Sequence, residues 1–256
     1  MASKYFEHGD DQGDFVPVDG VGLNGSRGMR TRFESGEVSA GSFKKSFGRT
    51  PNAYIGRNAE RPDEDFDEVY WRMWVRHQPG WRGGGPAKLS RATVMASAGW
   101  GQGMIAHLWT SGRGNAYLLM DPASGIDVHG ELVSTKYNDF PNLRWLGNRR
   151  GGLPMFADER AGEWFCVEGH AKLNTPGGED GVFEFWIDDA LQGRRDDLNW
   201  HGDWNNGEEA YGINAVFFEN YWNAGSPQTQ ERYFDNIVIS TARIGCGCAD
   251  SRSQTE

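Results

Sequence analysis

Apolar and polar positions alternate along this chain with the period of a β-strand, and no segment sustains a helical period. In residues 68–77, EVYWRMWVRH, Trp71, Met73 and Val75 fall on one side and Tyr70, Arg72, Trp74 and Arg76 on the other. Residues 101–121, GQGMIAHLWTSGRGNAYLLMD, hold two strand-like runs around Ser-Gly-Arg-Gly, which predicts a hairpin. Met104, Ala106 and Leu108 form its apolar, core-facing side, Ile105, His107 and Trp109 lie opposite, and Tyr117 and Leu119 share a face of the second run. A second hairpin is predicted from 163–174, with Trp164, Cys166, Glu168, His170, Lys172 and Asn174 on one face, and 182–188, where Glu184 and Trp186 oppose Phe183, Phe185 and Ile187. The stretches 27–34, 37–47, 211–222 and 232–241 bring the count to at least eight strands.

Between these runs the pattern weakens. Residues 1–13 are polar and acidic and read as a loose terminus, 14–245 as a single domain, and 246–256 as a polar C-terminal tail. The glycine-rich stretch 79–86, PGWRGGGP, lacks the Gly-Lys-Ser/Thr of a phosphate-binding loop and reads as a mobile loop delivering Lys88. Residues 126–160 form an excursion beside the sheet.

Composition supports an all-β fold: 36 Gly, 11 Trp, 14 Phe and 8 Tyr suit many strands joined by tight turns. A formal charge of -10 argues against nucleic acid and anionic membranes as partners, and no apolar run is long enough to span a bilayer. The opening MASKYFEHGDDQGDF lacks the apolar core of a secretory signal, so an extracellular or virion-associated location would need a route not visible in the sequence. Three cysteines, Cys166, Cys246 and Cys248, are an odd set that excludes a complete disulfide framework, and one Cys-x-Cys is a weak metal signal. No Gly-x-Ser-x-Gly, His-Glu-x-x-His or EF-hand loop is present, and the acidic 63–68, DEDFDE, lacks the Glu-x-Asp-x-x-Glu order of glucanases. No metal or other cofactor is expected.

The succession FESGEVSAGSFKKSFG, EVYWRMWVRHQPGW with Lys88-Leu89, GEWFCVEGHAKLNTPGGEDGVFEFWIDD and YFDNIVISTARIG resembles the polysaccharide lyase-like proteins of the concanavalin A-like jelly-roll class, which includes alginate and glucuronan lyases. The resemblance covers roughly residues 15–245. It implies an antiparallel β-jelly-roll sandwich of the concanavalin A-like lectin/glucanase type, with one concave sheet forming an open glycan groove. In the alginate lyase branch that groove carries a lysine after the glycine-rich loop, a Ser-x-Arg pair on a strand ending in Trp, and a Tyr-x-Tyr pair on the next. Lys88, Trp109 and Tyr117 match this pattern, whereas Ile105, His107 and Leu119 stand at the serine, arginine and second tyrosine positions.

Elimination beside a uronate needs a partner for the carboxylate, a base and an acid. Lys88 or Arg72 is the expected carboxylate partner, His107 the base and Tyr117 the acid, with Tyr70, Trp74, Arg76, Trp109, Glu168, Lys172, Glu184 and Trp186 as further glycan contacts. Tyr70, Arg72, Trp74, His107, Trp109 and Tyr117 are expected to face one groove. The expected function is thus recognition of an acidic, uronate-containing polysaccharide in an open groove, with lyase chemistry through His107 and Tyr117 left open. The alternative is a non-catalytic glycan-binding or structural jelly roll on a virion or surface assembly, towards which the Ile105, His107 and Leu119 pattern leans. For Arg72 and Arg76 the competing role is pairing with acidic side chains on neighbouring strands; for His107 it is a structural one.

Overall fold

The alternating segments become two antiparallel sheets packed face to face. The computed structural model describes residues 5–83, 87–111, 113–202, 204 and 210–247, so that Gly84, Gly85 and Pro86 of the glycine-rich loop, and Cys248, lie outside the described residues. Numbered in chain order, the strands are β1 (Glu7–Gly9), β2 (Phe15–Val18), β3 (Gly28–Phe33), β4 (Ser39–Ser46), β5 (Glu68–His77), β6 (Ala87–Met95), β7 (Gln102–Ser111), β8 (Tyr117–Ser124), β9 (Arg144–Trp145), β10 (Arg149–Arg150), β11 (Trp164–Lys172), β12 (Gly181–Ile187), β13 (Ala190–Leu198), β14 (Ala215–Trp222) and β15 (Gln230–Ser240). Sheet A runs β1-β4-β14-β6-β7-β8-β10, with β9 also on β8, and sheet B runs β13-β12-β11-β5-β15-β3-β2. A single turn of α-helix, Ala53–Gly56, is capped by Asn52 Oδ1, which accepts from the backbone N–H groups of Tyr54 and Ile55.

Both predicted hairpins form. The β7–β8 register pairs His107 with Asp121, Trp109 with Leu119 and Ser111 with Tyr117, and β11 pairs with β12 from Val167–Ile187 to Lys172–Val182. The inward sides meet as expected: Trp71, Met73 and Val75 of sheet B and Met104, Ala106 and Leu108 of sheet A belong to one buried core. The Trp71 indole spans the layers, donating to Ser90 Oγ on β6 at 3.0 Å.

Two boundaries change. Residues 1–13 are not a loose terminus throughout, because Glu7–Gly9 adds an edge strand to β4 and Phe6 is buried against Phe217, with ring centres 5.7 Å apart. Two adjacent aromatics dock the segment, Tyr5 packing on Phe43 with ring centres 5.0 Å apart and Phe6 on Phe217. At the other end Cys246 is joined to Cys166 by a disulfide, which fastens the start of the tail to β11.

Gly169 on β11 lies opposite Trp71, and a Cβ built there would stand 2.3 Å from the indole, which its bond to Ser90 holds in place. Gly169→Ala is therefore expected to destabilise the fold by about 1–3 kcal/mol through overpacking. Urea denaturation should show a lower midpoint at unchanged slope.

Candidate glycan-binding groove

The outer face of sheet A carries a cavity of about 410 Å³ lined by Glu7, Ser42 and Lys44 from the β1–β4 edge, Lys88 and Trp109 from β6 and β7, Glu219, Asn220 and Tyr221 from β14, and Tyr137, Asn138 and Phe140 from the excursion after β8. Strand alternation places these groups: Phe43 and Phe218 enter the core, so Lys44, Glu219 and Tyr221 point outward.

Beneath the cavity Arg91, fully buried on β6, forms a two-pronged ion pair with Glu219, Nε to Oε2 at 2.9 Å and Nη2 to Oε1 at 2.6 Å. The same guanidinium donates to the Tyr137 hydroxyl and to Asn138 Oδ1, each at 2.6 Å, and the Tyr137 hydroxyl donates to Glu219 Oε1 at 3.0 Å. Arg91 thereby fastens the excursion onto the sheet. With its Oδ1 held by Arg91, Asn138 has its amide nitrogen left as a donor. Burial opposes the charge on Glu219, but Arg91, Lys88 and the Tyr137 hydroxyl outweigh it and hold the carboxyl at about 2. Burial, the largest effect, pushes the Tyr137 phenol up.

Lys88 lies across the β6–β7 pairing from Trp109, its ammonium 4.7 Å from the centre of the Tyr221 ring. Burial brings its pKa down to about 8; Glu219 works against that shift, while Arg91 and Lys44 reinforce it. Lys44 is paired with Glu7 at 2.6 Å, whereas Lys88 has no carboxylate partner among the described residues. Asn220 Oδ1 and Trp109 Nε1, both on lining residues, have no hydrogen-bond partner among the described residues, an arrangement that a polar ligand or water commonly completes.

Of the expected site residues, the structure brings only Lys88 and Trp109 into this cavity. His107 is on the same face but buried below it, 1% exposed and packed against Trp109 and Trp145. Its Nδ1 donates to the Asp121 carbonyl at 3.1 Å, so Nε2 is the acceptor that meets Arg91 at 3.5 Å. Burial, aided by Arg91, holds the imidazole well below its ordinary 6.5 and hence neutral. Tyr117, further along β8, is covered by the Arg150 guanidinium, 4.6 Å from the ring centre.

The shared groove expected for Tyr70, Arg72, Trp74, His107, Trp109 and Tyr117 is not formed, since β5 belongs to sheet B and β7 to sheet A. Tyr70, Arg72, Trp74, Arg76, Glu168, Lys172, Glu184 and Trp186 all lie on sheet B, away from the cavity. Alternation tells which side of a strand avoids the core but not which sheet the strand joins. Several of these groups have internal partners: Arg72 donates to the carbonyls of Gly245 and Asn236, Arg76 stacks between Trp164 and Tyr233, and Glu168 accepts from the N–H groups of Ile244 and Gly245. His170 bridges Glu68 and Glu184 at 2.8 Å each, with Tyr70 stacked on its ring at 4.1 Å. The Arg243 guanidinium covers Trp186.

Sequence reasoning missed Arg91, Tyr137, Asn138, Phe140, Glu219 and Tyr221. The last two were within reach, because Phe217, Glu219 and Tyr221 alternate with Phe218 and Asn220. Arg91 lies on a central strand whose every residue is buried, so it shows no alternation.

Holding Glu219 below its ordinary 4.5 means that its carboxylate stabilises the fold above pH 4.5, and that this stability is lost as pH falls towards about 2. The loss is expected to be roughly 3 kcal/mol over that window. Urea denaturation at stepped pH should show it in the wild type and a flatter profile in Glu219→Gln.

No family model matches the chain, and no curated protein sequence matches it. Among solved structures, the marine alginate lyase of Aplysia kurodai is similar at a TM-score of 0.61 and 15% identity, over 90% of this chain and 88% of that one. The endo-β-1,4-glucuronan lyase of the fungus Trichoderma reesei is similar at 0.60 and 11%, over 94% and 93%. An alginate lyase from Chlorella virus is similar at 0.57 and 12%, over 89% of each chain. This chain has the antiparallel jelly-roll fold of those polysaccharide lyases.

Proposed function

We propose that the groove on sheet A binds a uronate-containing polysaccharide and cleaves it by β-elimination. The observation that carries this reading is Lys88, a buried cation in an open cavity with no carboxylate of its own among the described residues. Its ammonium and the Asn138 amide are the donors that neutralise the uronate carboxylate, which acidifies the neighbouring C–H. Tyr221, whose ring centre lies 4.7 Å from the Lys88 ammonium, is the proton carrier. The Tyr221 phenolate takes the proton from the carbon beside the carboxylate, the electron pair of that C–H bond forms the C=C bond of an unsaturated uronate as the glycosidic C–O bond breaks, and the phenol so formed returns the proton to the leaving oxygen. The solved alginate and glucuronan lyases of this fold support the substrate class.

A second reading, in which the groove holds the glycan without cleaving it, is favoured by the burial of His107 and by Ile105 and Leu119 at the serine and second tyrosine positions of the alginate lyase pattern. Incubation with alginate, glucuronan and neutral glucans separates the two. An ultraviolet-absorbing unsaturated product from a uronate polymer supports elimination, and Tyr221→Phe should then lower turnover by about 10² to 10⁴ while leaving binding in place. Binding with no such product leaves recognition alone, and neither binding nor product with any uronate-containing glycan, densely or sparsely charged, removes both readings.

Burial lowers the Lys88 pKa, so its charge is complete well below pH 8 and lost as pH rises through about 8. Binding of a uronate oligosaccharide should therefore weaken above that point, approaching about tenfold per pH unit. Calorimetry on Lys88→Arg, which stays charged, should lack the alkaline step; Lys88→Gln should bind weakly at every pH.

A further inference from the structure

The charges around the groove largely neutralise one another, and this restricts the glycan it can hold. Two cations and two anions line the cavity: Lys44 with Glu7, and Lys88 with Glu219. Lys44 is paired to Glu7 and Glu219 to the buried Arg91, leaving Lys88 as the one lining cation without a carboxylate partner among the described residues. A polyuronate presents a carboxylate on every sugar. Within the cavity, any beyond the one at Lys88 meets Glu7 or Glu219, or is stripped of water against uncharged surface, and an unpaired carboxylate resists such desolvation strongly.

Towards β9 the surface that continues from Lys88 is aromatic, while Arg150 on β10 lies further along the row of Lys88, Trp109 and Leu119. Trp109 and Phe140 line the cavity, and Trp145 on β9 packs against both, with ring centres 6.1 Å from Trp109 and 5.8 Å from Phe140. Phe140 and Trp145 are 38% and 44% exposed, large rings held at the surface beside a polar cavity. Such rings suit the apolar faces of neutral pyranose sugars.

Resting on the reading of this groove as a uronate-glycan site, we infer that its ligand has a low charge density, with an isolated uronate at Lys88 flanked by neutral sugars stacked on Trp109, Phe140 and Trp145. Calorimetry would compare deacylated gellan, whose uronate recurs among neutral sugars, with hyaluronan, where it alternates with one, with glucuronan and alginate, where every sugar is a uronate, and with a neutral β-linked glucan. Gellan is expected to bind at least about tenfold more tightly than glucuronan. Trp145→Ala and Phe140→Ala should each weaken gellan binding by about tenfold without altering its salt dependence. Glu7→Gln, which releases Lys44, should raise glucuronan affinity by about fivefold.

Glucuronan or alginate bound as tightly as gellan, or gellan binding indifferent to both aromatic substitutions, would overturn the inference and leave the groove a uronate site. A neutral glucan bound as tightly as gellan, or no binding to any uronate glycan, would overturn the groove reading and the inference together.

Discussion

The groove depends on the ion pair between Arg91 and Glu219. Neither residue is on the rim: Arg91 is fully buried, Glu219 nearly so, and the pair is completed by the Tyr137 hydroxyl and the Asn138 side-chain oxygen. Buried pairs of this kind add little to stability over a well-packed apolar substitute, because desolvation consumes most of the attraction. What this pair supplies is position. The excursion after β8 has little regular structure, and Arg91 gathers two of its side chains onto the sheet face, where Tyr137 and Asn138 become one wall of the cavity. Removing either charge would leave the other buried and alone, so the wall and the fold are tied to the same interaction.

The two outer faces of the sandwich are both rich in aromatic and charged side chains, and they use them differently. On sheet B several groups pair internally, although Nε of Arg72 and of Arg76 is buried without a partner among the described residues: His170 is held between two glutamates, Arg76 between two rings, and Arg72 and Glu168 bind backbone groups near the C-terminal end, where the Cys166–Cys246 disulfide also fastens the chain. On sheet A the pairing is incomplete at Lys88, and exposed rings lie next to the gap. An unpaired cation beside an open cavity and exposed rings is what makes sheet A, and not sheet B, the candidate recognition surface.

Much of the fold was legible because strand alternation is a local signal. Residues 68–77 coincide with β5, and both hairpins were readable from a Gly-containing turn between alternating runs. β6 was not legible: buried on both faces between β14 and β7, it reads as Leu89, Ser90, Arg91, Ala92 and Thr93, with no period. β13 was missed for the opposite reason, since an edge strand with the sequence ALQGRRDDL shows charge where a strand pattern would show an apolar face. The candidate site was legible only at Lys88 and Trp109, which face each other across β6 and β7. His107 was read correctly as to its face but not its depth, because depth is set by Trp145 and Arg91, which come from other parts of the chain.

On the proposed reading of the groove, the state of Lys88 explains how one cation can dominate recognition. Its fall from 10.5 to about 8 means that keeping the ammonium charged in the unliganded groove costs roughly 3 kcal/mol relative to water. A carboxylate placed beside it recovers much of that cost, since two opposite charges near 4 Å attract by about 4 kcal/mol at a partly shielded protein surface, against about 1 kcal/mol in water. A neutral sugar in the same place recovers nothing and covers the amine further. Lys44 has no comparable reserve, because Glu7 already satisfies it. On that reading burial converts a common surface residue into a selective one, and the discrimination it would provide extends no further along a bound chain of sugars than the reach of that single side chain.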